Sequence, residues 1–262
     1  MLARILTIFV IIFLLLPVLI VIPISFSSAQ YLTFPPPGFS VKWYEKFLSD
    51  PEWISAFFKS LEIGILTTIF SLVFGITAAI GLSKSNSKAR KIFQELFQLP
   101  QIMPVIIVAI AVYGFQSQLK LIGSTFGLVT AHTILATPIV ITTVMASICN
   151  LDPNLENAAV ILGANRIQAF FKVIIHSIKP SIISAALFAF VTSFDEIVVT
   201  LFISGVSVTT LPKKMWDGIR TQIEPTIAAV SSLLIFIVII VMLISAFTSK
   251  DNSKSKPKET VL

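Results

Sequence analysis

Long apolar runs with few charges alternate with short polar stretches along almost the whole chain. Six of these runs read as membrane-spanning helices, at about residues 5–24, 57–82, 92–113, 125–148, 181–203 and 225–247. Each reaches the roughly 20 residues that an α-helix needs to cross the hydrocarbon of a bilayer. The predicted fold class is therefore all-α, a membrane protein of six transmembrane helices. The first run, Ile5 to Ile24, is followed by Ser27 and Ala29, a weak cleavage-site pattern. It exceeds the ~7–15 apolar residues of a secretory leader, so it is expected to be a retained first helix. The third run is interrupted in its first half by Gln94, Glu95, Gln98, Pro100, Gln101 and Pro104. Such a helix is tolerated where protein or water satisfies its polar groups, so it is expected to face the protein interior.

Composition agrees with the pattern. Of 262 residues 55% are hydrophobic and 12% charged, with mean hydropathy +0.94. A soluble domain has about 25% charged residues. The single cysteine, Cys149, excludes an intrachain disulfide and reads as a small buried hydrophobe. Net charge is +6, which calls for no nucleic acid, because basic residues gather on the cytoplasmic side of a bilayer. That bias sets the orientation. With the N-terminus inside, the cytoplasmic segments hold Arg4; Lys84, Lys88, Arg90 and Lys91; Arg166, Lys172 and Lys179; and Lys250, Lys254, Lys256 and Lys258. The outside holds Lys42, Lys46, Lys59, Lys120, Lys213, Lys214 and Arg220. Both termini are expected in the cytoplasm. The polar tail 249–262 reads as disordered, leaving 1–248 as the membrane domain. His132 and His176 are the only histidines, too few for a metal site, and read as packing or polar contacts.

The longest external segment, 25–56, contains Pro35-Pro36-Pro37-Gly38, a rigid turn. Beyond it, Val41, Tyr44, Phe47 and Leu48 share a helical face opposite Lys42, Glu45 and Lys46. A short amphipathic helix is predicted, with Trp43 and Trp53 at the membrane interface, serving as an anchor or meeting an external partner.

The cytoplasmic loop 149–180 carries more structure than a linker needs. Asp152 suits a helix N-cap and Pro153 the first helical position. Leu155, Ala158, Ala159 and Leu162 form a narrow apolar stripe. Gly163 ends that helix with an expected positive φ. A second helix begins at Asn165, with Ile167, Phe170, Phe171 and Ile174 on its apolar side, and ends before Lys179-Pro180. The unit is either a compact loop or a knob that enters another protein's groove, where small side chains allow close approach.

Residues 156–180, ENAAVILGANRIQAFFKVIIHSIKP, resemble the EAA loop of permeases in the binding-protein-dependent ABC importer family. The family pattern is Glu-Ala-Ala, three residues, then Gly, leading to a proline. Here Asn157 departs from it: either it replaces the first alanine after Glu156, or Ala158-Ala159 are the alanine pair with Glu156 one place early. Gly163 keeps the three-residue spacing from Ala158-Ala159 and stands one place late in the other register; Ala164 and Pro180 follow it as in the family. FSVKWYEKFL (39–48), Ala131-His132, Leu151-Asp152-Pro153, SFDEIVVTLFISG (193–205) and TTLPKKMW (209–216) extend the resemblance to about residue 248, most closely to the second permease subunit of the spermidine/putrescine subgroup. The resemblance implies a multi-pass permease of the bacterial plasma (inner) membrane with the type I importer fold. It implies a second permease as heterodimer partner, a cytoplasmic ABC ATPase dimer that binds ATP and magnesium, and an extracytoplasmic solute-binding protein. Coupling to the ATPase would fall to Glu156, Ala158, Ala159, Leu162, Gly163 and Ala164. The chain has no Gly-x-x-x-x-Gly-Lys-Ser/Thr loop, so no cofactor and no catalytic residue is expected in it.

Acidic residues in apolar spans need a reason, since an ionised carboxylate costs at least ~2.5–3.5 kcal/mol at the bilayer centre. Glu62 and Glu95 lie near span ends, where water or the neighbouring Arg90 and Lys91 suffice. Asp195 and Glu196 fall in the fifth span, next to Thr192 and Phe194. On one continuous helix they would point about 100° apart. They serve either as structural hydrogen-bonding groups or as lining of a cation path, with Asp195 first, then Glu196, Phe194 and Thr192. The implied solute is a polyamine; ferric iron, thiamine or another small molecule within the same class is the alternative. A secondary transporter would show inverted repeats and discontinuous helices, neither of which is visible in the sequence.

Overall fold

The computed structural model describes residues 2–85, 89–152, 154–221 and 223–253. Its described regular structure is helical apart from one isolated β-bridge, Ser27 to Phe39. The helices are α1 (Leu2–Ser25), α2 (Lys42–Ser49), α3 (Pro51–Lys84), α4 (Ala89–Ile102), α5 (Val105–Gln118), α6 (Thr125–Cys149), α7 (Leu155–Ile161), α8 (Arg166–Ala169), α9 (Ile175–Ser177), α10 (Lys179–Phe194), α11 (Val198–Ile203), α12 (Leu211–Thr221) and α13 (Thr226–Ser253). A π-helical turn, Phe170–Ile174, joins α8 to α9.

Three single helices among the described residues are long and apolar enough to cross a membrane: Arg4–Ser25, Pro51–Lys84 and Thr125–Cys149. Two bent pairs raise the number to five, Arg90–Ile102 with Val105–Gln118 (102°) and Arg166–Ser177 with Lys179–Phe194 (68°). The stretch 92–113 is thus two helices and not one. Its break falls at Met103-Pro104, where proline withholds an N–H and caps α5. The stretch 181–203 is also interrupted, since α10 ends at Phe194 and α11 starts at Val198. The last helix continues through the first residues of the expected tail, to Ser253, and residues 254–262 lie outside the described residues.

Residues 1–54 and 215–262 form one compact unit and residues 55–214 another. In the first, α1 packs on α13 and α13 on α2. The buried face of α2 is Trp43 and Phe47, at i and i+4, while Val41 and Leu48 are exposed, so the helix is rotated from the predicted face. Trp43 turns inward because its indole N–H donates to Ser27 O at 2.8 Å. Trp53 is buried too, in edge contact with Phe47, and neither tryptophan is an exposed interfacial anchor. Lys46 and Glu224 pair at 2.6 Å.

In the second unit α6 is the axis. One buried cluster joins Ile63, Val108, Leu128, Val199 and Ile203, from α3, α5, α6 and α11. The other joins Ala79, Val140, Val144, Ala185 and Ala189, from α3, α6 and α10, with Ile178, the N-cap of α10. The fully buried alanines of α10 allow close packing on α6. The turn between α5 and α6 is tied by Gln116, whose amide donates to Gly127 O (2.9 Å) and Thr130 Oγ1 (3.0 Å).

Gly75 marks the closest approach of α3 to α6. A Cβ there would stand 2.5 Å from Val140 Cγ1, whereas one at Gly81 would meet nothing within 4 Å. Gly75→Val should destabilise the detergent-purified protein by about 1–3 kcal/mol, the usual range for overpacking. Gly81→Ala, which meets nothing and lies within α3, should leave the protein at least as stable, with a gain of up to ~1 kcal/mol from helix propensity.

Candidate functional site

Two regions of the second unit carry the sequence-predicted site residues. The first is the loop after α6. Asp152 does not cap α7: its Oδ1 accepts the N–H of Asn154 (2.9 Å), and Asn154 is the N-cap residue. Pro153 lies outside the described residues. At the other end Gly163 has φ +95°, and nothing lies within 4 Å of where its Cβ would be. The backbone alone requires glycine there. The Gly163 N–H donates to Val160 O (2.9 Å) and the Ala164 N–H to Ala159 O (3.0 Å), the paired bonds of a Schellman termination. A capping box starts α8, with Asn165 Oδ1 accepting from Gln168 N–H (2.8 Å) and Gln168 Oε1 accepting from Asn165 N–H (3.2 Å).

The predicted stripe is divided. Leu155 and Ala159 are half-buried, and Ala158, Leu162 and Gly163 face outward. Large apolar side chains face out as well: Leu162 of the predicted stripe is 87% exposed, its neighbour Ile161 85%, and Ile167 and Phe171 of the second helix's apolar side 70% and 63%. Large apolar side chains exposed together in this way are the mark of a binding surface. Glu156 points the other way. Both of its carboxylate oxygens accept from Lys84 Nζ, at 2.9 and 3.2 Å, at the end of α3. At 34 residues α3 is about 50 Å long, longer than the ~30 Å hydrocarbon, so its last turn reaches the loop. A cavity of ≈ 310 Å³ beside this pair is lined by Lys84, Cys149, Asp152, Glu156, Phe170 and Ile174. Cys149 is exposed rather than buried, with Arg90 Nη2 3.8 Å from its sulfur.

The second region is the interruption in the fifth span. Asp195 is the C-cap of α10, with φ −92° and ψ −3°, so Asp195 and Glu196 do not share a continuous helix. Glu196 turns back to α11, and its Oε1 accepts the N–H of Val199 at 2.8 Å. A carboxylate at a helix N-terminus also meets the positive end of the helix dipole. Lys213 closes the other end of α11, donating to Ser204 Oγ (2.7 Å) and Gly205 O (2.6 Å). The Gly123 N–H donates to Ile203 O at 2.8 Å. Asp195 is exposed, and its carboxylate makes no hydrogen bond or salt bridge among the described residues. Thr192 and Phe194 are half-buried beside it, and Phe194 stacks on Phe190 with centroids 5.5 Å apart.

The residue that spans this interruption is one the sequence marks only as a packing or polar contact. His132 of α6 is buried, with Nδ1 2.9 Å from Ser193 Oγ on α10 and Nε2 3.1 Å from Thr200 Oγ1 on α11. Its one signal was a lone histidine in an apolar span. His176 is exposed. Among the described residues no three His, Cys, Asp or Glu side chains are grouped to hold a metal. A separate cavity of ≈ 480 Å³, lined by Phe70, Phe74, Phe97, Phe126 and three threonines, has no charged side chain in its wall.

Comparison with known proteins accounts for this architecture. Residues 71–250 match the family described as "Binding-protein-dependent transport system inner membrane component". The chain is 30% identical over 230 residues to the putrescine transport system permease protein PotI of Escherichia coli (strain K12), covering 85% of this chain and 82% of that protein. It is 24% identical over 242 residues to the spermidine/putrescine transport system permease protein PotC of Haemophilus influenzae, covering 92% and 93%. A chain of the bacterial alginate ABC transporter, solved in complex with an alginate pentasaccharide-bound periplasmic protein, aligns with a TM-score of 0.69 over 98% of this chain and 96% of that one. At 16% identity that likeness establishes a shared fold. Discontinuous helices therefore occur within this fold and are no mark of a secondary transporter. The match over residues 71–250 shows that the chain belongs to the family of inner membrane components of binding-protein-dependent transport systems, as an ABC importer permease subunit for a small solute and not an enzyme.

Proposed function

We propose that this chain is one of two different six-span permease subunits in a polyamine importer, with both termini in the cytoplasm. The single observation that carries the solute is the unpaired, exposed Asp195 carboxylate at a break in a span. A polyamine carries several positive charges and must shed water in a narrow path, and a carboxylate on the route offsets that loss. The two polyamine permeases among the relatives support the same solute class. Thr192 and Phe194 flank the carboxylate, and Glu196, committed to α11, contributes less. Asp195→Asn should lower spermidine uptake in proteoliposomes about tenfold, the equivalent of a ~1.4 kcal/mol loss. Complex assembly and basal ATP hydrolysis should be unchanged. Normal uptake would make Asp195 structural, and a native binding protein that takes a sugar or an anion instead would overturn the solute.

The loop at 152–180 is the coupling element to a separate ATPase dimer. Ala158, Leu162 and Gly163 present the docking face, joined by Ile161, Ile167 and Phe171. Ala159, Ala164 and Glu156 hold the loop's own shape. The positive φ of Gly163 makes a sharp test. Gly163→Val strains the backbone by about 1–2 kcal/mol and should uncouple uptake from ATP hydrolysis. Gly163→Asn, which tolerates left-handed backbone, should retain most uptake. Equal activity of both variants and wild type would remove the loop from coupling.

A second permease completes the pathway, and an extracytoplasmic solute-binding protein delivers to it. Affinity purification through this chain should recover two different permeases with an ATPase dimer. A complex with two copies of this chain and no other permease would contradict the heterodimer.

A further inference from the structure

The hydrogen bonds around His132 have a definite direction. The Thr200 hydroxyl has one hydrogen, and it goes to the Glu196 carbonyl at 2.8 Å. Thr200 Oγ1 must then accept from His132, so the ring carries its hydrogen on Nε2. Nδ1 is left as an acceptor, and the Ser193 hydroxyl donates to it. One chain of bonds thus runs from Ser193 at the end of α10, through α6, to Thr200 on α11 and back to the carbonyl at the break. Asp195 stands inside that circuit, exposed and unbonded through its carboxylate. Ser193 and Thr200 are both buried, so loss of the ring would leave two hydroxyls without a partner for the groups they offer it.

We propose that His132 is a positioning residue for transport: by fastening the two halves of the interrupted span to α6 it fixes where the Asp195 carboxylate stands. Its part in transport rests on the reading of Asp195 as part of the solute path, but its part in geometry does not. The Glu196 side chain caps α11 alone and touches neither α10 nor α6 in any bond described. His132 is therefore the side chain that bonds both halves.

The test uses the assembled complex in proteoliposomes, with Cys149→Ser and Asp195→Cys leaving one thiol in this chain. The rate of modification of that thiol by a membrane-impermeant cationic methanethiosulfonate is measured with His132, His132→Leu, His132→Gln and Thr200→Val. Loss of a hydrogen bond of ordinary strength should change the rate about threefold or more in His132→Leu and Thr200→Val. His132→Gln, which keeps an N–H donor toward Thr200, should return it toward the original value. Equal rates in all four would overturn the proposal. If His132→Leu fails to assemble, the nearly isosteric Thr200→Val decides. Nitrogen-15 spectra of histidine-labelled complex, with His132→Gln to assign the signal, should show the Nε2–H tautomer, and an Nδ1–H tautomer would overturn the bond chain. Normal spermidine uptake by Asp195→Asn would remove the polyamine reading and leave these outcomes to judge the geometry.

Discussion

A backbone inside a bilayer has no water to bond, so every helix that stops there must find partners for its ends within the protein. The rest of this structure depends on that constraint. An unbroken span meets most of it within itself, as α3 does, while α1 and α6 each lose a few bonds to the internal prolines Pro17, Pro23 and Pro138. The interrupted spans meet it by side chains placed for the purpose. Proline at 104 removes one donor at the 102° bend. At the second interruption Glu196 accepts at the start of α11, Lys213 and the Gly123 N–H supply donors at its end, and His132 ties the two sides together. α11 is only six residues long and would be marginal in isolation. Its stability comes from these bonds and from the burial of Val199 and Ile203.

Such an interruption has a use in a transporter. An intact helix presents side chains to a pathway but keeps its peptide groups to itself. A satisfied break can hold a carboxylate whose own bonding capacity is unspent, as at Asp195. The loop after α6 works in the opposite setting. It lies between spans, yet keeps Leu162, Ile161, Ile167 and Phe171 outward, held by a Schellman turn, a capping box and the Lys84–Glu156 pair. An exposed pair of this kind contributes little stability, ~0–1 kcal/mol, so it orients the loop more than it strengthens it. The loop and the interrupted span share α10, which continues from the loop across a 68° bend and ends at Phe194.

Much of this was legible in the sequence where one physical rule dominates. Length and hydropathy locate α3 and α6, and the glycine rule locates the end of α7. The break at Asp195 was not legible, because the residues after it, Ile197 to Ile203, are apolar apart from Thr200 and no proline or glycine interrupts them. Nor was the face of α2: Val41, Tyr44 and Leu48 form as good an apolar stripe as Trp43 and Phe47, and the indole bond to Ser27 decides between them. Of the loop's predicted stripe Ala158 and Leu162 are exposed while Leu155 and Ala159 are half-buried, and the neighbouring Ile161 joins the exposed face. His132 reads from the sequence as a packing or polar contact and is a polar one, but its partners lie 61 and 68 residues away, so the sequence does not say which groups it joins.

As proposed, this chain forms part of the path of an ATP-driven importer for a polyamine. In the purified complex in nanodiscs, binding protein loaded with spermidine should then raise ATP hydrolysis above both the empty binding protein and spermidine alone. Hydrolysis indifferent to the loaded protein, with spermidine moving only under an imposed ion gradient, would contradict it.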